Sequence, residues 1–163
     1  MKTITQIFES AFEAKMNENW DKIYVMVDVH ETFMKPDCTG MDTEFYPIAL
    51  DVLRMMSDRK DICLIMWTCS SAEHREAYAK MCENYGVIFD YQNENPESGA
   101  NFKLGGDYTS KMYANVILDD KAGFEHECDW FELYKYFEVD HRTNTFKNGE
   151  LQQIVSEYKK SEE

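Results

Sequence analysis

Positive charge, proline, glycine and long apolar runs are all scarce in this chain, and each scarcity excludes something. Against 31 acidic residues stand 17 lysines and arginines, a formal net charge of −14. Nucleic-acid binding proteins grip phosphates with clustered cations, so this balance excludes a general nucleic-acid footprint. An acidic protein that accepts an anionic substrate also needs a cation to mediate the meeting. With 3 prolines and 7 glycines in 163 residues, low complexity is excluded. No internal repeat is visible. No apolar run approaches the roughly 20 residues of a membrane span, and no signal-peptide pattern follows Met1-Lys2-Thr3-Ile4. The 5 cysteines are odd in number and form no CxxC pair. That spacing disfavours a disulfide framework or a structural zinc site and points to reduced thiols in a cytoplasmic protein.

What is present suits one α/β domain over residues 1–163, with an apolar fraction sufficient for a real core. Thr3 to Met16 carries apolar residues at helical spacing. Ile23 to Val27 is an unbroken apolar run that stops at Asp28, the pattern of a strand buried on both faces. An irregular stretch from Val29 to Thr43 follows, and helical spacing resumes from Phe45 to Met56. The run Ile62–Trp67 predicts a second strand. Ser70 or Ser71 then caps a helix from Ala72 to Tyr85 that Gly86 stops. Val87–Phe89 predicts a third strand, and Tyr91 to Ser110 a long polar loop. Asn115–Leu118 predicts a fourth strand, ending at Asp119-Asp120. A helix capped by Asp129, a short strand at Phe137–Val139 and a last helix at Gly149–Lys159 capped by Asn148 complete the reading.

Alternating strands and helices imply a mainly parallel sheet in a Rossmann-like three-layer sandwich, whose ligands bind at the carboxyl ends of the strands. Three buried runs end there in polar residues: Asp28, Thr68 and the pair Asp119-Asp120. Carboxylates brought into one crevice repel unless protonated or neutralised, and hard oxygen donors favour Mg²⁺. The Thr68 hydroxyl and the amides of Cys69 and Ser70, at a helix N-terminus, are suited to hold a phosphate. Lys111, eight residues before Asp119, offers a fixed positive charge. A carboxylate can then attack phosphorus, leaving an aspartyl-phosphate for water to cleave. Taken singly, each residue has a plainer reading: Asp28 a turn residue, Thr68 a helix cap, Lys111 a solvated lysine, the acidic pair the start of a loop. His30 has three readings: a turn hydrogen-bonder, a direct metal ligand, or an acid–base group. His74, His126 and His141 show no partner spacing.

Together these stretches resemble the haloacid dehalogenase superfamily, in particular its small phosphatase-like members with a minimal cap. The family's Asp-x-Asp-Gly-Thr matches Asp28-Val29-His30-Glu31-Thr32, and its strand ending in Thr or Ser matches Leu64–Thr68. The lysine before the last strand matches Lys111, and the acidic pair matches Asp119-Asp120. The match spans about residues 23–137, leaving an extra N-terminal helix and a C-terminal tail that a homodimer could use. The resemblance implies a Mg²⁺-dependent phosphohydrolase acting on a small phosphorylated metabolite or nucleotide. It makes Asp28 nucleophile and metal ligand, with the His30 backbone carbonyl and Asp119 as further ligands and Asp120 acting through water. Thr68 would hold the phosphoryl group, and Lys111 would steady phosphate and Asp28. The segments 33–43 and 91–110 would set specificity. Three positions depart from the pattern. His30 replaces the acid–base Asp, Glu31 replaces glycine, and Ser70 stands where an Arg clamp is usual. A catalytically silent relative with a regulatory or binding role is the alternative these departures raise.

Overall fold

Residues buried on both sides have no amphipathic face to turn outward, and the run starting at Ile23 accordingly takes the centre of a sheet. A computed structural model describes residues 1–37, 40–98, 106, 108 and 110–138. In chain order its elements are α1 (Ile4–Asn17), β1 (Ile23–Asp28), β2 (Met34–Lys35), β3 (Glu44–Phe45) and α2 (Ala49–Ser57). Then follow β4 (Ile62–Trp67), α3 (Ala72–Glu83), β5 (Tyr91–Gln92), β6 (Val116–Leu118) and α4 (Asp129–Glu138), with a 3₁₀ turn at Asp120–Ala122. The sheet has the order β5-β4-β1-β6 and every pairing is parallel. β2 and β3 form a separate antiparallel pair. The chain is thus an α/β protein with a four-stranded parallel sheet flanked by helices, as in a Rossmann-like sandwich.

Topology explains which side each connection takes. The steps from β1 to β4 and from β4 to β5 run in the same direction, so right-handed crossovers put α2 and α3 on one face. The return to β6 must cross the other face. Ile23, Val25 and Val27 of β1 and Ile62, Leu64 and Met66 of β4 share the large core with residues of all four helices. The alternate residues Tyr24, Met26, Cys63 and Ile65 form a second cluster, covered by Tyr91, Met112, Tyr113 and Ala114. Arg59 is almost wholly buried beneath the helical layer. Its guanidinium makes a two-point pair with Asp61 at 2.8 Å and lies over the rings of Phe12 and Phe137, so the buried charge has a counter-charge and two aromatic faces.

Some boundaries agree with the sequence-based expectation and others differ. Thr3 caps α1 in a reciprocal arrangement with Gln6, and Ser71 caps α3. Phe45 belongs to β3 and does not begin the helix, because Pro47 and Ile48, the latter at φ 70°, turn the chain before α2 starts. The predicted strand Val87–Phe89 forms no ladder. Ser57 Oγ accepts from the Ile88 N–H and donates to its carbonyl, tying this segment to the end of α2. The ladder starts at Tyr91, within the predicted loop, just after the Asp90 carboxylate has taken the Leu64 N–H. Phe137 lies in α4, where its ring packs edge-on against Phe8, so the short strand predicted there is absent from the described residues. Val139, Asn148 and the predicted helix Gly149–Lys159 lie outside the described residues.

Candidate functional site

The direction of strand addition reverses at β1: the first crossovers move to one side of it, and β6 enters on the other. A crevice at the carboxyl ends of strands opens at such a switch point. Asp28 is the last residue of β1, and Asp119 and Asp120 directly follow β6. One carboxylate oxygen from each of the three lies within 4.8 Å of the others. Ligand oxygens about 2.1 Å from an octahedral Mg²⁺ stand about 3.0 to 4.2 Å apart, so the three carboxylates would have to draw closer than 4.8 Å to share one ion. All three donors are hard oxygens, and solvent reaches each of them in part, leaving room for water ligands. By donor chemistry the cluster fits a magnesium-like cation.

The electrostatics agree. Burial pushes the Asp28 carboxyl up to about 6, and the charges of Asp119 and Asp120 push the same way. The Val29 N–H and His30 oppose this without cancelling it. Asp119 also caps the 3₁₀ turn, accepting from the Lys121 N–H at 2.8 Å. The Lys121 ammonium stands 3.5 Å from Asp120, whose charge raises the lysine's pKa, but it is largely solvated. A solvated lysine at that range screens the cluster only weakly.

Thr32 holds the two halves of the crevice together. It is fully buried, and its hydroxyl accepts from the Asp120 N–H at 3.1 Å while standing 3.5 Å from Asp28 Oδ2. Its carbonyl accepts from the Trp130 indole at 2.7 Å, which ties the arrangement to α4. The sequence signal for Thr32 was its place four residues after Asp28. Glu31, where a glycine was expected, takes the left-handed conformation at φ 57°. Its carboxylate accepts from the Tyr46 hydroxyl at 2.7 Å, a contact that helps offset the backbone strain.

The hydroxyl side of the crevice is arranged differently. Thr68 is buried, and its hydroxyl donates to Ser70 Oγ at 3.2 Å and accepts from the Ser70 N–H at 3.3 Å. Asn93 clamps the Thr68 backbone, accepting from its N–H at 2.8 Å and donating to its carbonyl at 2.7 Å. Cys69 is exposed. The Arg75 guanidinium donates to the Ser70 carbonyl at 3.2 Å, so a cation from α3 stands by the loop although position 70 itself carries none.

His30 turns away from the acid cluster. Its Nε2 lies 2.8 Å from Oδ2 of Asp42, a carboxylate buried between β2 and β3. Its ring meets Tyr78 edge-on, and the Tyr78 hydroxyl accepts from the Asp42 N–H at 3.4 Å. Lys111 is exposed and makes no ion pair or hydrogen bond with another described residue. The structure therefore brings together Asp28, Asp119 and Asp120, leaves Lys111 outside that cluster, and engages His30, Thr68 and Ser70 with internal partners. No spacing assigns these contacts to Asp42 and Asn93, because each acts across the fold, whereas Arg75 reaches Ser70 locally, from five residues further along the chain.

No protein-family model matches the chain, and no curated protein matches it. A solved structure of a conserved protein coded by a locus from Bacteroides thetaiotaomicron is similar to it with a TM-score of 0.55 at 22% identity. The similarity covers 72% of this chain and 90% of that one, and it shows a shared fold.

Proposed function

We propose that the protein is a Mg²⁺-dependent phosphohydrolase of the haloacid dehalogenase type, acting on a small phosphate monoester. The observation that carries this reading is the cluster of Asp28, Asp119 and Asp120 at the topological switch point, with Asp28 held at a raised pKa. These three side chains would hold the cation, joined by the His30 backbone carbonyl. Bound there, the cation would supply positive charge to draw a phosphate toward Asp28 and keep that carboxylate ionised. Asp28 would then attack phosphorus as the bond to the ester oxygen breaks, that oxygen taking its proton from solvent water, and a second water would cleave the aspartyl phosphate to release inorganic phosphate and regenerate the carboxylate. The Thr68-Cys69-Ser70 loop would meet the phosphoryl oxygens, with Arg75 behind it.

Release of phosphate from an aryl phosphate tests this directly. Turnover that requires Mg²⁺ and disappears in both Asp28→Asn and Asp119→Asn supports it. Folded protein that neither binds Mg²⁺ nor turns over any member of a phosphate-ester panel refutes it.

A second reading, a cation- and phosphate-binding protein without turnover, is favoured by one observation. His30, at the position of the family's acid–base residue, points to Asp42, with Nε2 2.8 Å from its Oδ2. Its test is His30→Asp: a large gain in hydrolysis over the native chain means that the site is otherwise intact and lacks only its proton donor.

A further inference from the structure

The face of the sheet that Asp28 occupies also carries an exposed tryptophan. Side chains alternate along a strand, so Asp28 follows Val27 onto the side of Tyr24 and Met26, and Trp67 follows Met66 onto the side of Cys63 and Ile65. Asp28 and Trp67 are direct partners in the parallel register of β1 and β4. Adjacent strands lie about 4.8 Å apart, which sets the indole beside the carboxylate. The cover on this face is built on the rows below. Tyr91, Met112, Tyr113 and Ala114 pack on Tyr24, Met26, Cys63 and Ile65, while Trp67 is 39% exposed although its strand is interior to the sheet. The other two tryptophans have no such position: Trp130 is buried against Phe124, and Trp20 sits before β1, at the opposite end of the sheet from Asp28.

We propose that Trp67 is the specificity residue of the site, a stacking platform for the organic part of a phosphate monoester that carries a planar aromatic or heteroaromatic ring. This rests on the phosphohydrolase reading for the phosphate end of the ligand. A flat ring needs no charge partner, which suits a site whose nearest charges are carboxylates. Stacking on an indole is tolerant of ring identity, so the platform selects planarity and not one particular ring. A sugar or short aliphatic chain at the same place gains little from it.

The test uses phosphonates, which the site cannot hydrolyse. Binding of 1-naphthylmethylphosphonate and of methylphosphonate to the full chain with Mg²⁺ is measured by calorimetry, for the native protein, Trp67→Phe and Trp67→Ala. The native chain is expected to bind the naphthyl compound at least about tenfold tighter, roughly 1.4 kcal/mol. Trp67→Phe keeps most of that preference. Trp67→Ala abolishes it and leaves methylphosphonate affinity unchanged. Equal affinity of the native chain for the two compounds, or a preference that survives in Trp67→Ala, overturns the platform while the phosphate site stands. Failure of both compounds to bind overturns the platform together with the phosphate reading. The expected preference in a protein that shows no phosphatase turnover supports the platform and refutes hydrolysis alone.

Discussion

The two halves of the crevice differ in how completely their polar groups are satisfied. On the Thr68 side, hydroxyl, amide and carbonyl all have partners within the chain, supplied by Ser70 and Asn93. On the Asp28 side, three carboxylates crowd within 4.8 Å and Lys121, which pairs with Asp120, is solvated. Folding drives buried polar groups into partnership, so a cluster left in mutual repulsion costs stability. The contrast teaches where a ligand gains most. A cation on the acid side relieves a strain already present, whereas a phosphate on the hydroxyl side must exchange existing hydrogen bonds for its own.

Removing the central charge is expected to break the contrast most severely. Asp28→Asn should lower phosphate-ester turnover by a factor on the order of 10³ or more, measured as released phosphate with Mg²⁺ present. Next comes the link between the halves of the acid crevice. Thr32→Val leaves the Asp120 N–H without its acceptor in a buried setting and should cost about 2 kcal/mol in urea unfolding. Outside both halves, Asp42→Asn removes the charge that faces His30. It should cost about 1 kcal/mol of stability, with Mg²⁺ affinity unchanged in calorimetry. A marked fall in Mg²⁺ affinity would show that the two regions are coupled.

Acidity sharpens the same contrast. The Asp28 pKa is raised in the fold, so between about pH 4 and 6 the folded state holds a proton that the unfolded chain has released. Stability from this group is greatest at acid pH and falls as pH rises through 6. Allowing for solvent screening at a half-exposed site, the fall is about 1 kcal/mol. Mg²⁺ should reverse it, so the rise in melting temperature on adding Mg²⁺ is expected to be larger at pH 7.5 than at pH 5. The smallest effect concerns Glu31. Glu31→Gly relieves the left-handed backbone but loses the Tyr46 contact, and the net change in melting experiments should stay within about 0.5 kcal/mol.

Much of this was legible beforehand for a physical reason. A strand buried on both faces must be continuously apolar, so the places where Ile23–Val27, Ile62–Trp67 and Asn115–Leu118 turn polar mark the strand ends. The sheet's four parallel strands and the meeting of Asp28 with Asp119 and Asp120 follow from that pattern. The third strand pairs a few residues later than its apolar run suggests, because Ser57 takes the backbone of Ile88 and the ladder begins at Tyr91. Order along the chain points to Lys111, and the structure leaves it exposed, with no ion pair or hydrogen bond to another described residue.

By itself, the sequence determined which side chains stand at strand ends, because burial along a strand is a local and periodic property. Whether each of those side chains is left open to a ligand or taken by an internal partner was decided only by the tertiary structure. Asp42 reaches His30 from 12 residues away, Asn93 reaches Thr68 from 25, and Thr32 reaches Asp120 from 88. No local pattern records contacts of that kind, since they arise only when the sheet has brought the segments together.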